Sequence, residues 1–180
     1  MDLREDDTLI GVDLTDGEQD IMLFTSAGKA IRFNEAGVRA MGRTACGVRG
    51  IRLGEGQRVI SLIVAKPGDV LTVTEKGYGK RTPVEQFPTK GRGGMGIISI
   101  KTSERNGGQV GAVWVSEEDE IMLITDGGTL VRTRVSDVSR LGRDTQGVKM
   151  ISVAKDERLI GIARIEMLEG EEADDVADED

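Results

Sequence analysis

The sequence contains no histidine. That removes the commonest general base and the commonest side-chain ligand for transition metals. There is one cysteine, Cys46, so no intramolecular disulfide can form, and a cysteine nucleophile has no imidazole to activate it. Aromatic residues make up 3% of the chain, too few and too scattered for a platform on which bases stack, so Trp114, Tyr78 and the phenylalanines are expected in the core. No apolar run approaches the roughly 18 residues that a membrane-crossing helix needs. The charged N-terminus carries no apolar signal region. A cytoplasmic location is therefore expected. Carboxylate pairs occur at Glu117/Glu120 and Asp156-Glu157, but at turn positions, and no acidic run has the spacing of an EF-hand loop. Neither a catalytic residue, nor a metal site, nor a cofactor is expected in the chain. Gly91-Arg92-Gly93-Gly94-Met95-Gly96 has the spacing of a dinucleotide loop. It follows a polar loop, precedes a β-rich segment and has no ribose-binding acid about 20 residues on, which removes the context that chemistry requires.

The charge is unevenly distributed. Against 24 Lys and Arg stand 32 Asp and Glu, a net of -8. Four of the acids lie in residues 1–7, and eight lie after Leu168 with no base among them. The intervening body is mildly basic, at about +3. The expected organisation is an acidic lead-in, 1–7, a folded body, 8–168, and an acidic tail, 169–180, too poor in apolar residues to fold. Such a tail would compete with phosphate for any basic surface of the body.

The body is an internal repeat. Segments 20–51, 69–100 and 120–151 align without a gap, at offsets of 49 and 51 residues. Thr25, Thr74 and Thr125 recur in register, followed by Gly28, Gly77 and Gly128, then Arg32, Arg81 and Arg132. Gly42-Arg43, Gly91-Arg92 and Gly142-Arg143 follow, and Gly47, Gly96 and Gly147 close the pattern. Each repeat (about 20–66, 69–116 and 120–166) reads as four short strands. The first, Ile21–Phe24, Val70–Val73 or Ile121–Ile124, is continuously apolar, which predicts burial on both faces. The glycine three residues after each threonine suits a hairpin turn with positive φ. A third strand is predicted near 48–53, 97–102 and 148–153, and a fourth at 59–64, 110–115 and 159–165. The fourth holds a small residue in each copy (Ser61, Ala112, Gly161), where blades are expected to approach closely. Leu9–Val12 matches this fourth strand and predicts the last strand of a preceding blade. The fold class is all-β, a propeller-like array of four-stranded blades with three repeats and one extra strand.

Arginines in register are the strongest functional signal. Rotation from blade to blade would turn Arg32, Arg81 and Arg132, and Arg43, Arg92 and Arg143, into stripes. Arg39, Lys80, Lys90, Arg134 and Arg140 add to them. A curved basic stripe suits a phosphate backbone wrapped without base readout. The competing reading is pairing inside the blade, with Asp20, Asp69 and Glu120 as partners. A protein-interaction propeller of kelch type has a similar period but does not account for arginines in register.

VRAMGRTACGVRGIRLGEG (38–56), GYGKRTPVEQFPTKGR (77–92), NGGQVGAV (106–113) and ITDGGTLVRTRVSDVSRLGRDTQGV (124–148) together resemble the C-terminal domain of the DNA gyrase A subunit. The equivalent domain of the topoisomerase IV A subunit is a poorer match. The resemblance covers about Asp7 to Glu166. It implies a β-pinwheel whose blades exchange strands and whose basic outer edge wraps duplex DNA. It also implies a place in an ATP-dependent type II topoisomerase that introduces negative supercoils. The implied protein partners are a second gyrase A subunit, together with the gyrase B subunit. In that enzyme the catalytic tyrosine, ATP and Mg lie on other domains. The family's heptapeptide Gln-Arg-Arg-Gly-Gly-Lys-Gly has no full counterpart. Lys90–Gly96 matches it at four of seven positions, which implies the later half of the domain.

Overall fold

The structure is a computed structural model that describes residues 3–165, and the tail expected at 169–180 lies outside them. Among the described residues there are eleven strands, three 3-10 turns and no α-helix. No helix is therefore long and apolar enough to cross a membrane. Repeat 1 supplies β1 (Asp20–Thr25), β2 (Lys29–Asn34) and β3 (Val59–Val64). Repeat 2 supplies β4 (Asp69–Thr74), β5 (Tyr78–Pro83), β6 (Ile97–Ile98) and β7 (Gln109–Val115). Repeat 3 supplies β8 (Glu120–Thr125), β9 (Leu130–Arg134), β10 (Val148–Lys149) and β11 (Leu159–Ile165).

Each repeat opens with an antiparallel hairpin, β1–β2, β4–β5 or β8–β9. Its turn glycine, Gly28, Gly77 or Gly128, has φ of 72°, 78° or 85°, a conformation that a Cβ penalises. The turn is closed by the glycine N–H donating to the preceding threonine carbonyl at 3.0–3.1 Å. The fourth strand of each repeat then pairs with the first.

The third strand does not join its own blade but completes the sheet before it, which is the strand exchange that the resemblance implies. The sheet orders are β3-β1-β2-β6, β10-β5-β4-β7 and β11-β8-β9. Repeat 2 thus donates β6 to blade 1, and repeat 3 donates β10 to blade 2. The donated strands are short because the chain peels away at once. Gly28 O accepts from both Ser99 and Ile100, and Gly77 O from both Met150 and Ile151. Residues 48–53 form no strand, since this chain offers them no earlier sheet edge to pair with. The same reason applies to Leu9–Val12, which is not a strand as expected. Leu9, Ile10 and Val12 are exposed, and the segment borders β3 without ladder bonds.

The core lies between blades. Met22, Phe24, Ile63, Val70, Val84 and Phe87 fill the space between blades 1 and 2, with Phe24 and Phe87 edge to face at 6.0 Å. Leu71, Val73, Val115, Ile121, Leu123, Val138 and Leu159 fill the space between blades 2 and 3. Only β4 is buried along its whole length, as all three first strands were expected to be. β1 and β8 have a neighbouring blade on one side each, so their other faces are partly open. Close approach at the fourth strands is seen where Ala112 N donates to Ser61 Oγ at 3.0 Å. A Cβ on Gly111 would meet Ile162 at 2.5 Å. Gly161 instead faces Ile124 of its own sheet.

Candidate nucleic-acid interface

The arginines in register fall into two physical groups, divided by what neutralises them. The second-strand arginines clamp one blade to the next. Arg32 Nε donates to Asp20 at 2.8 Å, and its Nη1 donates at 3.3 Å to the carbonyls of Val84 and Phe87 in repeat 2. Arg81 repeats the arrangement one blade on. Its Nε donates to Val138 O at 2.8 Å, and its guanidinium pairs with Glu117 at 3.2 Å and Asp69 at 3.8 Å. Each of these aspartates also takes a bond from the next repeat, Thr89 to Asp20 at 2.7 Å and Arg140 to Asp69 at 3.0 Å. Burial pushes the Asp20 carboxyl up, but hydrogen bonds from Thr89, Asn34 and Arg32 outweigh it and hold the group below its ordinary value. Arg132 pairs with Glu120 and, with no following blade among the described residues, stays more than half exposed.

Lys80 and Arg81 are corrected outright as surface cations. Lys80 is fully buried, and Arg81 is 8% exposed. Lys80 Nζ donates to the carbonyls of Gly142 and Arg143 at 2.7 and 2.5 Å and to Thr145 Oγ1 at 3.1 Å. It thereby staples the Gly142-Arg143 loop of repeat 3 onto blade 2. The aligned positions in the other repeats are Ile31 and Val131, so this staple occurs once. Arg32 is half-buried in its clamp and has little left to offer a ligand.

The loop arginines behave differently. Arg92 Nε donates to Gly37 O at 2.8 Å and its Nη1 to Arg49 O at 3.1 Å. Arg143 Nη1 makes the same bond one blade on, to Ile98 O at 3.2 Å. Their acceptors are neutral carbonyls, so each guanidinium is held in place with its charge uncompensated. Part of its five-donor fork stays open. Arg39, Arg43, Lys90 and Arg134 are exposed, and no ion pair is found for them among the described residues. Arg140 is half exposed but spends its charge on Asp69.

The repeat marks miss Arg49 and Arg52, which are exposed beside the Arg92 loop. Arg52 N donates to Gly94 O at 2.8 Å, and Gly93 N to Gly50 O at 2.5 Å, so repeat 2's glycine-rich loop packs on them. One signal was available in the sequence. The position of Arg49 holds Lys149 in repeat 3, and that of Arg52 holds Lys101 in repeat 2.

A family model for the DNA gyrase C-terminal domain, a β-propeller, matches residues 19–66, 68–109 and 119–166. The chain belongs to the DNA gyrase C-terminal domain family. The DNA gyrase A subunit of Escherichia coli K12 is 58% identical over 164 residues, 91% of this chain and 19% of that protein. Its Salmonella typhimurium counterpart is 56% identical over 176 residues, 97% and 20% respectively. The chain thus spans about a fifth of the curated relatives it matches. A solved gyrase A C-terminal domain superposes with a TM-score of 0.76 at 30% identity, over 82% of this chain and 50% of that one. A topoisomerase IV C-terminal domain superposes with 0.86 at 27% identity, over 92% and 52%. Backbone shape does not separate these relatives. The sequence does, in favour of gyrase A.

Proposed function

We propose that this chain binds the phosphate backbone of duplex DNA along its outer edge, as part of the DNA-wrapping surface of a gyrase A subunit. The observation that carries the reading is the division of the arginines. Those between blades are neutralised by carboxylates, whereas Arg92 and Arg143 are held by carbonyls and Arg39, Arg43, Lys90 and Arg134 by no acid. Asp144, the acid next to Arg143, pairs with Lys101 at 3.3 Å instead. Loops fixed to a rigid array present that charge at a constant spacing, which suits a regular polyanion. In the intact enzyme, with two A subunits paired and a B subunit that uses ATP and Mg, this half-array would serve negative supercoiling in the bacterial cytoplasm.

The test is duplex binding by the chain across a salt series. Each phosphate neutralised contributes about -0.9 to the slope of log affinity against log salt. Six such cations, each meeting one phosphate, predict a slope of about -5 and no sequence preference. A slope near zero would defeat the proposal and leave a protein-interaction propeller as the better reading.

A further inference from the structure

A second basic concavity lies away from the arginine marks. The turn of repeat 2, its 101–108 loop and the 153–158 turn of repeat 3 enclose a groove of about 610 Å³. Lys76, Arg105, Lys149, Lys155 and Arg158 line it, all exposed. Three carboxylates share the wall against the five cations, and neutral donors hold two of them. Glu75 accepts from Gly108 N at 3.0 Å, and Glu157 accepts from Ala154 N at 3.1 Å as well as from Thr125 and Thr129. No ion pair engages the five cations among the described residues.

The floor is organised. Arg105 lies over the Tyr78 ring at 5.3 Å and donates from Nε to the Tyr78 hydroxyl at 3.3 Å. Lys76 donates to the carbonyl of Glu104, which leaves its charge uncompensated. Tyr78 senses the result. The Arg105 hydrogen bond, then the fields of Arg105, Lys149 and Lys76, lower its hydroxyl below the ordinary value against an opposing desolvation.

The position decides the ligand. Lys149 on β10 stands opposite Tyr78 at the outer edge of blade 2. The segment that ends there has already carried Arg143 along the same edge, within about 20 Å for six residues. A duplex presents one charge per roughly 1.7 Å, so a backbone lying along Arg143 runs on into the groove.

We propose that the Lys76–Arg105–Lys149 groove is a second phosphate-contact site for duplex DNA, peculiar to the junction of repeats 2 and 3. One blade back the equivalent positions are Ala27 and Gly56 of repeat 1 and Ile98 of repeat 2, so blade 1 cannot form it. The inference rests on the proposed DNA-binding role and extends the track beyond the loop arginines.

The experiment compares wild type with the triple variant Lys76→Gln, Arg105→Gln, Lys149→Gln by duplex binding across a salt series. The expected result is a slope shallower by about 2–3 and at least tenfold weaker binding at low salt. Wild-type slope and affinity in the variant would overturn the groove while leaving the wider DNA reading intact. A wild-type slope near zero would overturn both. Loss of a polyglutamate peptide, with DNA binding unchanged, would assign the groove to an acidic protein segment and overturn the proposal. Amine labelling of the wild-type chain gives a readout independent of any variant's folding. Duplex DNA should protect Lys76 and Lys149, and equal labelling with and without DNA would refute the contact.

Discussion

Lys80 carries an ammonium into the junction of blades 2 and 3, and its removal tests how that junction depends on charge. Burial lowers the lysine to about 7, with Asp144 acting to raise it and Arg143 and Lys101 to lower it. The folded pKa therefore lies below the unfolded value of 10.5. Between those values the unfolded chain holds a proton that the folded chain has released, so stability rises with pH. Below about pH 7 both states hold the proton, and the burial penalty is fully present. From pH 6 to pH 9 the linkage amounts to about 2–3 kcal/mol. Lys80→Met loses the staple to the Gly142 and Arg143 carbonyls; Gly142 O keeps the Thr145 hydroxyl at 2.9 Å, so Arg143 O is the acceptor left without a donor, at roughly 1–3 kcal/mol. It also loses the titration. Urea denaturation of both proteins at pH 6, 7, 8 and 9 separates the two effects. The offset between the curves reports the lost hydrogen bonds. The change in that offset with pH reports the buried charge, and wild type should gain about 2–3 kcal/mol on the variant over the series. An offset constant with pH would refute the depressed ammonium. It would mean that the carbonyl cage stabilises the charge as well as water does.

Gly77→Ala and Gly128→Ala should differ although the turns are equivalent. Both glycines have positive φ, but a Cβ at Gly77 would stand 2.5 Å from Ile151 O, whereas at Gly128 nothing lies within 4 Å. Chemical denaturation should show a loss of about 1–2 kcal/mol at Gly128 from backbone conformation alone and clearly more at Gly77. Equal losses would contradict the strand exchange that brings Ile151 there. Phe87→Ala removes one ring of the Phe24–Phe87 pair from a fully packed inter-blade core and should cost about 3–5 kcal/mol by the same measurement. A loss below about 1 kcal/mol would mean that blades 1 and 2 do not depend on this packing.

Much of the architecture was legible in the residues. Thr25, Gly28 and their equivalents mark hairpin ends because a tight turn needs positive φ and a polar stop, requirements that are local to a few residues. Burial was legible only in part. The apolar run of β1 reads like that of β4, yet burial depends on how many blades flank a strand, which no residue in the strand encodes. Strand exchange was legible only through the family resemblance, not in the exchanged strands themselves. Ile97-Ile98 and Val148-Lys149 have no pattern that says which sheet edge they will complete.

The sequence by itself determined the repeat, the all-β class, the family and the basic body between acidic ends, because each depends on composition or on periodicity along the chain. The tertiary structure alone decided which positive charges remain. Arg32 and Arg92 look alike in the repeat, but Asp20 neutralises one and carbonyls hold the other. Lys80 looked like a surface cation and is a buried staple, while Lys76, Arg105 and Lys149, remote from one another in the chain, share a groove. Electrostatic availability depends on distances between chain-distant groups and on their exclusion from water. Both are set only when the blades pack.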